Sequence, residues 1–121
     1  MKVPIIKNIH AKVLEAVSRK GALNMNNWHT CESTHCRAGW VIHLAGKMGY
    51  NLENKTCYSS AAQLIYQASS NIDVASYRFY ASNKDAMADI KRCAELEMII
   101  ERGRIGSSFG AAFRKLRKGK L

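Results

Sequence analysis

Proline is nearly missing from this chain: Pro4 is the only one in 121 residues. Beyond the first few positions nothing therefore carries the residue that most reliably breaks a helix interior. Long apolar runs are missing too. Lys7, Lys12 and Glu15 interrupt the N-terminal stretch MKVPIIKNIHAKVLEAV, which excludes the unbroken apolar core of a signal peptide. No stretch approaches the roughly 20 apolar residues of a membrane-spanning helix. The expectation is a soluble, cytoplasmic protein with no transmembrane segment. In that compartment Cys31, Cys36, Cys57 and Cys93 stay reduced, which disfavours a disulfide framework. β-branched runs are scarce, so strands have little to form from. The last twenty residues contain no acid at all.

What is present fits one small folded unit. Apolar residues make up 47% of the chain and charged residues 23%, an ordinary balance for a globular domain. Beside alanine, leucine, lysine and glutamate, β-branched runs are few, a balance that leans helical. The fold class expected is all-α: a compact bundle of four helices, with a fifth, basic C-terminal helix allowed by the pattern. Residues 1–101 read as a single helical domain and residues 102–121 as a basic arm.

Helix one is predicted from Pro4 to Lys20, with Gly21 as its stop and Ile6, Ile9, Val13, Ala16 and Val17 on one face. Residues 22–32 read as an ordered loop anchored by Leu23, Met25 and Trp28. Helix two is predicted from a Ser33 or Thr34 cap to Gly49, with AGWVIHLAG apolar nearly all round and so buried on several sides. Helix three starts after Ser59 or Ser60, with Ala61, Leu64, Ile65 and Ala68 inward. Helix four opens on the capping pattern Ser82-x-x-Asp85 and runs to about Ile100, with Met87, Ile90, Cys93 and Ala94 inward. Beyond Gly103 and Gly106 the pattern allows a helix in which Phe109, Ala112, Phe113 and Leu116 form an apolar stripe.

The stretch TCESTHCRAGWVIHLAG, residues 30–46, concentrates the chemistry. His29, Cys31, His35 and Cys36 are four potential zinc donors within eight residues, and zinc takes nitrogen and sulfur ligands. A structural zinc site usually joins two separated pairs, and no second C-x-x-C or H-x-x-x-H follows. Cys36 alternatively sits where exposed helix amides, His35 and Arg37 could lower a thiol pKa, which would make it a nucleophile. Its candidate base, His43, lies seven residues on, roughly 10 Å along a helix. The plainest reading keeps the cysteines as small buried apolar groups. No catalytic residue is assigned; no cofactor is required, zinc being the one alternative.

C-x4-C-x-A-G-W, formed by Cys31, Cys36, Ala38, Gly39 and Trp40, resembles the motif of a family of small bacterial and phage-associated proteins. The likeness continues through AAQLIYQAS (residues 61–69) and FYASNKDAMADIKR (residues 79–92). It departs at Glu32 and Ser33, where the family has glycine and threonine. The resemblance implies a phage or mobile-element setting and supplies no activity.

Net charge is +10, and Arg102, Arg104, Arg114, Lys115, Arg117, Lys118 and Lys120 supply seven of those charges. Seven cations without an acid suit phosphate neutralisation, whose affinity comes from counterion release. Phe109, Phe113 and Leu116 would also let a basic amphipathic helix lie on an anionic membrane. Tyr77, Arg78, Phe79 and Tyr80 interleave rings and a cation as a base-stacking platform does, although packing of Phe79 and Tyr80 into the core is the plainer expectation. Together these features predict a non-enzymatic binding protein whose arm engages nucleic acid, a nucleoprotein complex or an acidic protein surface. In the phage setting one form of this is an inhibitor of host defence, such as an anti-CRISPR protein.

Overall fold

The computed structural model describes residues 2–26, 29–31 and 33–105, with the side chains of His29, Thr30, Cys31, Arg104 and Ile105 left aside. The architecture is all-α. Five helices, α1 (Ile9–Val17), α2 (Arg37–Leu44), α3 (Gly46–Lys55), α4 (Tyr58–Ser69) and α5 (Asn83–Ile105), surround one core. A two-stranded hairpin, β1 (His29–Cys31) and β2 (Thr34–His35), precedes α2, and a 3-10 turn over Ser76–Tyr80 precedes α5.

α1 starts later than its periodicity suggests. Asn8 takes a left-handed conformation, φ 56°, one that asparagine tolerates better than most residues. Residues 2–6 are non-helical, and the Ile6 amide donates to Ser69 Oγ at 2.9 Å. Asn8 provides no side-chain cap. Glu97 of α5 does so from a distance, its two carboxylate oxygens accepting the His10 and Ala11 amides at 2.9 Å each. A carboxylate at that end also suits the helix dipole. Ile9, Val13, Ala16 and Val17 are buried as their spacing demands, and His10 joins them.

The loop before α2 is pinned, as expected, by half-buried Leu23 and Met25; Trp28 lies outside the described residues. β1 and β2 pair antiparallel, His29 with His35 and Cys31 with Thr34. Ser33 and Thr34 are therefore not the helix cap. Thr34 Oγ1 donates to the Gly21 carbonyl at 3.0 Å, and Cys36 is the cap, its Sγ accepting the Gly39 amide at 3.3 Å.

The single helix predicted from residue 33 to Gly49 is two. α2 stops at Leu44, and Gly46, at φ +67°, turns the chain into α3. Gly49 then seats α3 against the end of α2, where a Cβ would fall 2.7 Å from Ala45 Cβ and against the Ile42 carbonyl. α2 carries Ala38, Trp40, Val41 and Ile42 into the core and packs on α1, α3 and α4.

α4 begins at Tyr58 after Cys57, and its inner face is Ala61, Ala62, Ile65 and Tyr66. Ala68 is exposed and Leu64 only half-buried, so the apolar face is rotated from the one predicted. At α5 the Ser82 hydroxyl accepts the Asp85 amide at 3.2 Å, the expected cap. Ala86, Asp89, Ile90, Cys93 and Leu96 face inward. Gly103 does not stop α5, which passes residue 101 and ends at Ile105. No helix among the described residues is long and apolar enough to cross a membrane.

Candidate functional site

Arg37 is the first helical residue of α2 and is fully buried. Its Nη1 donates to Asp89 Oδ2 at 2.5 Å, its Nε to Tyr66 Oη at 3.1 Å and its Nη2 to Cys93 Sγ at 3.6 Å. The other Asp89 oxygen accepts Arg92 Nε at 2.8 Å and faces Arg78 Nε at 3.5 Å. Three arginines thus converge on one aspartate. The Tyr66 ring lies near-parallel to His10, with centroids 5.2 Å apart, and to Phe79 at 6.2 Å. One polar centre therefore joins α1, α2, α4, the 3-10 turn and α5.

Its electrostatics follow from burial set against pairing. Burial works to raise the Asp89 pKa, but hydrogen bonds from Arg37 and Arg92 overcome it and hold the carboxyl below its ordinary value. Burial raises the Tyr66 and Cys93 pKa values, the Asp89 charge adding to the latter. Burial first, and the Arg37 charge second, lower the His10 pKa to about 4, and its buried Nε2 has no hydrogen-bond partner among the described residues. At neutral pH the centre holds fixed charges: an ionised Asp89, cationic arginines, and a thiol and a phenol that keep their protons. Such a set can fasten helices together, because unpairing any member strands a charge in the interior.

In the Cys/His stretch, the described side chains of His35 and Cys36 serve separate local roles. Cys36 is 2% exposed. Its pKa is raised by burial, which outweighs the backbone amides of Gly39 and Ala38. It therefore lacks the depressed pKa of an activated thiol. His35 is buried, stacked on His43 at 4.7 Å and edge-on to Trp40 at 4.6 Å. His43 shares a 2.9 Å hydrogen bond with Tyr50 Oη. Of the four alternative zinc donors, His29 and Cys31 have side chains outside the described set. Among the described residues no group of three or more His, Cys, Asp or Glu side chains is gathered for a metal.

The basic arm begins on α5. Arg102 is exposed, its Nη2 at 3.8 Å from Met98 Sδ, and the Arg104 backbone is helical. Arg114, Lys115, Arg117, Lys118 and Lys120 lie outside the described residues. In the 3-10 turn Phe79 is buried, but Tyr77 and Tyr80 are 64% and 66% exposed. Tyr80 does not enter the core as expected; its hydroxyl donates to Ser59 Oγ at 3.3 Å.

One group escaped the sequence reading. Cys57 is exposed at the start of α4, its thiol donating to Ser60 Oγ at 3.3 Å with Ser59 Oγ at 3.5 Å. When the thiol is ionised the same hydroxyls, Ser60 first and then Ser59, donate to the thiolate and lower its pKa to about 7. The signal lies in the run Cys57-Tyr58-Ser59-Ser60, a cysteine followed by two hydroxyls at a helix start. Compared with protein-family models, curated proteins and solved structures, the chain matches none of them.

Proposed function

We propose that the chain is a non-enzymatic binding protein of phage or mobile-element type, whose cationic C-terminal arm engages nucleic acid or a nucleoprotein complex. Inhibition of host defence, of the anti-CRISPR kind, is one form this takes. The observation that carries the reading is the segregation of charge: seven cations and no acid after residue 101, in a chain of net charge +10. The body supports it by contrast, since its buried charges close on one another around Asp89 and its buried thiols hold their protons. A polycation of this kind binds phosphates through counterion release.

A gel-shift titration of the full chain against a form ending at Ile105, which leaves α5 whole, tests this. The full chain shifts nucleic acid and the shortened form does not; equal shifts by both remove the arm from the account. The alternative, zinc on His29, Cys31, His35 and Cys36, is favoured by one observation, the hairpin register that sets His29 opposite His35. Protein purified without chelator carries about one equivalent of zinc if that alternative is correct.

A further inference from the structure

Asp89 is met by more positive charge than it can neutralise. Arg37, Arg78 and Arg92 all approach its carboxylate. Arg37, with 0% of its side chain exposed against 2% for Asp89, matches that charge in the interior. Arg78 and Arg92 keep 33% and 29% of their side chains exposed. They form the surface edge of the polar centre, Arg78 from the 3-10 turn and Arg92 from α5.

Both line a cleft of about 440 Å³ between that turn and α5, a size within the range of small-ligand sites. Ala81 and Ala88 are too small to fill it, and Tyr77 and Asp85 complete its wall. Two guanidinium groups thus face one further acid, Asp85, which has no ion pair among the described residues. Their donors are only partly used. Arg78 meets Asp89 through Nε at 3.5 Å, and its two Nη groups have no hydrogen-bond partner among the described residues. Arg92 places Nε on Asp89 at 2.8 Å and Nη2 on Cys93 Sγ at 3.5 Å, which leaves Nη1. Planar donors from two arginines suit a phosphate, whose oxygens accept guanidinium pairs. The ring beside them adds a second preference. The Arg78 guanidinium lies 5.0 Å from the Tyr77 centroid, and Tyr77, at 64% exposure, keeps ring surface free for a base.

We propose that this cleft is a nucleotide site, in which Arg78 and Arg92 hold the phosphate and Tyr77 stacks on the base. Asp85 opposes a second phosphate, which favours a monophosphate unit, either free or within a single strand. The inference does not rest on the function proposed above, because the signals of Tyr77, Arg78 and Arg92 report the cleft whatever the arm binds.

Arginine Nε–Hε resonances of the full-length protein read the site residue by residue. Adenosine 5′-monophosphate moves those of Arg78 and Arg92, together with the Tyr77 ring signals, and saturates with a Kd of about 1 mM or tighter. Inorganic phosphate and adenosine, each carrying one part of the ligand, bind at least about tenfold more weakly. Arg78→Gln weakens nucleotide binding about tenfold. Ala88→Glu, at an exposed position, adds an acid to the wall and weakens binding at least as much; Asp85→Asn removes one and tightens it. The Arg37 resonance keeps its wild-type position in all three variants, which shows the fold intact. Arg78 and Arg92 signals that stay still up to about 10 mM nucleotide overturn the inference and leave both residues as clamps on Asp89. So does an affinity indifferent to Arg78→Gln and Ala88→Glu, or inorganic phosphate bound as tightly as the nucleotide. A single-stranded oligonucleotide then separates the two sources. If it moves the same signals at lower concentration, the strand is the ligand; if the mononucleotide alone moves them, the free nucleotide is, and either result supports the site.

Discussion

Arg37 and Asp89 form an ion pair from which water is excluded: 0% and 2% of their side chains are exposed, and the donor–acceptor distance is 2.5 Å. The pair joins the start of α2 to the middle of α5. Asp89→Ala leaves the Arg37 charge buried opposite a void, and loss of one partner of such a pair costs about 3–5 kcal/mol. Urea unfolding measures it. Arg37→Met combined with Asp89→Leu costs less than the two single changes together, because no buried charge is left uncompensated. A loss below about 1 kcal/mol for Asp89→Ala contradicts the assignment.

His10 makes stability depend on pH. Its folded pKa is lowered to about 4 from 6.5, so between those values the unfolded chain binds a proton that the folded chain refuses. The His10 contribution is complete above pH 6.5 and declines as pH falls toward 4, by about 3 kcal/mol in all. Asp89 acts lower, since its depressed pKa preserves its stabilisation until pH falls beneath the ordinary carboxylate value. His10→Phe retains a ring beside Tyr66 and removes the titration. Denaturation midpoints across pH 4–7 therefore flatten in that variant relative to wild type, and parallel curves contradict the assignment.

Cys57 is the thiol to react first among Cys36, Cys57 and Cys93. Alkylation followed by peptide mass spectrometry shows Cys57 labelled with a midpoint near pH 7, while buried Cys36 and Cys93 are labelled only after unfolding. Ser60→Ala removes the larger of the two hydroxyl contributions and moves the Cys57 midpoint upward. Labelling of Cys36 ahead of Cys57 in the folded protein contradicts this order.

Helix content and much of the core were legible because 3.6-residue spacing survives in Ile9, Val13, Ala16 and Val17 and in Ile90 and Cys93. The Ser82–Asp85 cap was legible for the same local reason. What escaped depends on distance. The start of α1 is set by a carboxylate 86 and 87 residues away, and the division of α2 from α3 by a left-handed glycine inside an apolar run. Nothing local marks Arg37 and Asp89 as partners, since each gains the other only when α2 meets α5. One local clue to burial existed, for Asp89 lies between Ala86 and Cys93 on the buried stripe of α5. In the Cys/His stretch the burial of Cys36 agrees with the plainest sequence reading, while its use as a helix cap and the seating of His35 against Trp40 and His43 depend on the hairpin that precedes α2.

The central claim, that the cations after residue 101 neutralise phosphates, is tested most directly by the salt dependence of nucleic-acid binding. Each phosphate contact contributes about −0.9 to the slope of log K against log salt on duplex DNA, so seven cations give a slope of up to about −6. Changing Arg114, Lys115, Arg117 and Lys118 to glutamine in the full chain flattens that slope by about 3 to 4. An unchanged slope in the variant, or no salt-dependent binding by the wild-type chain, contradicts the account.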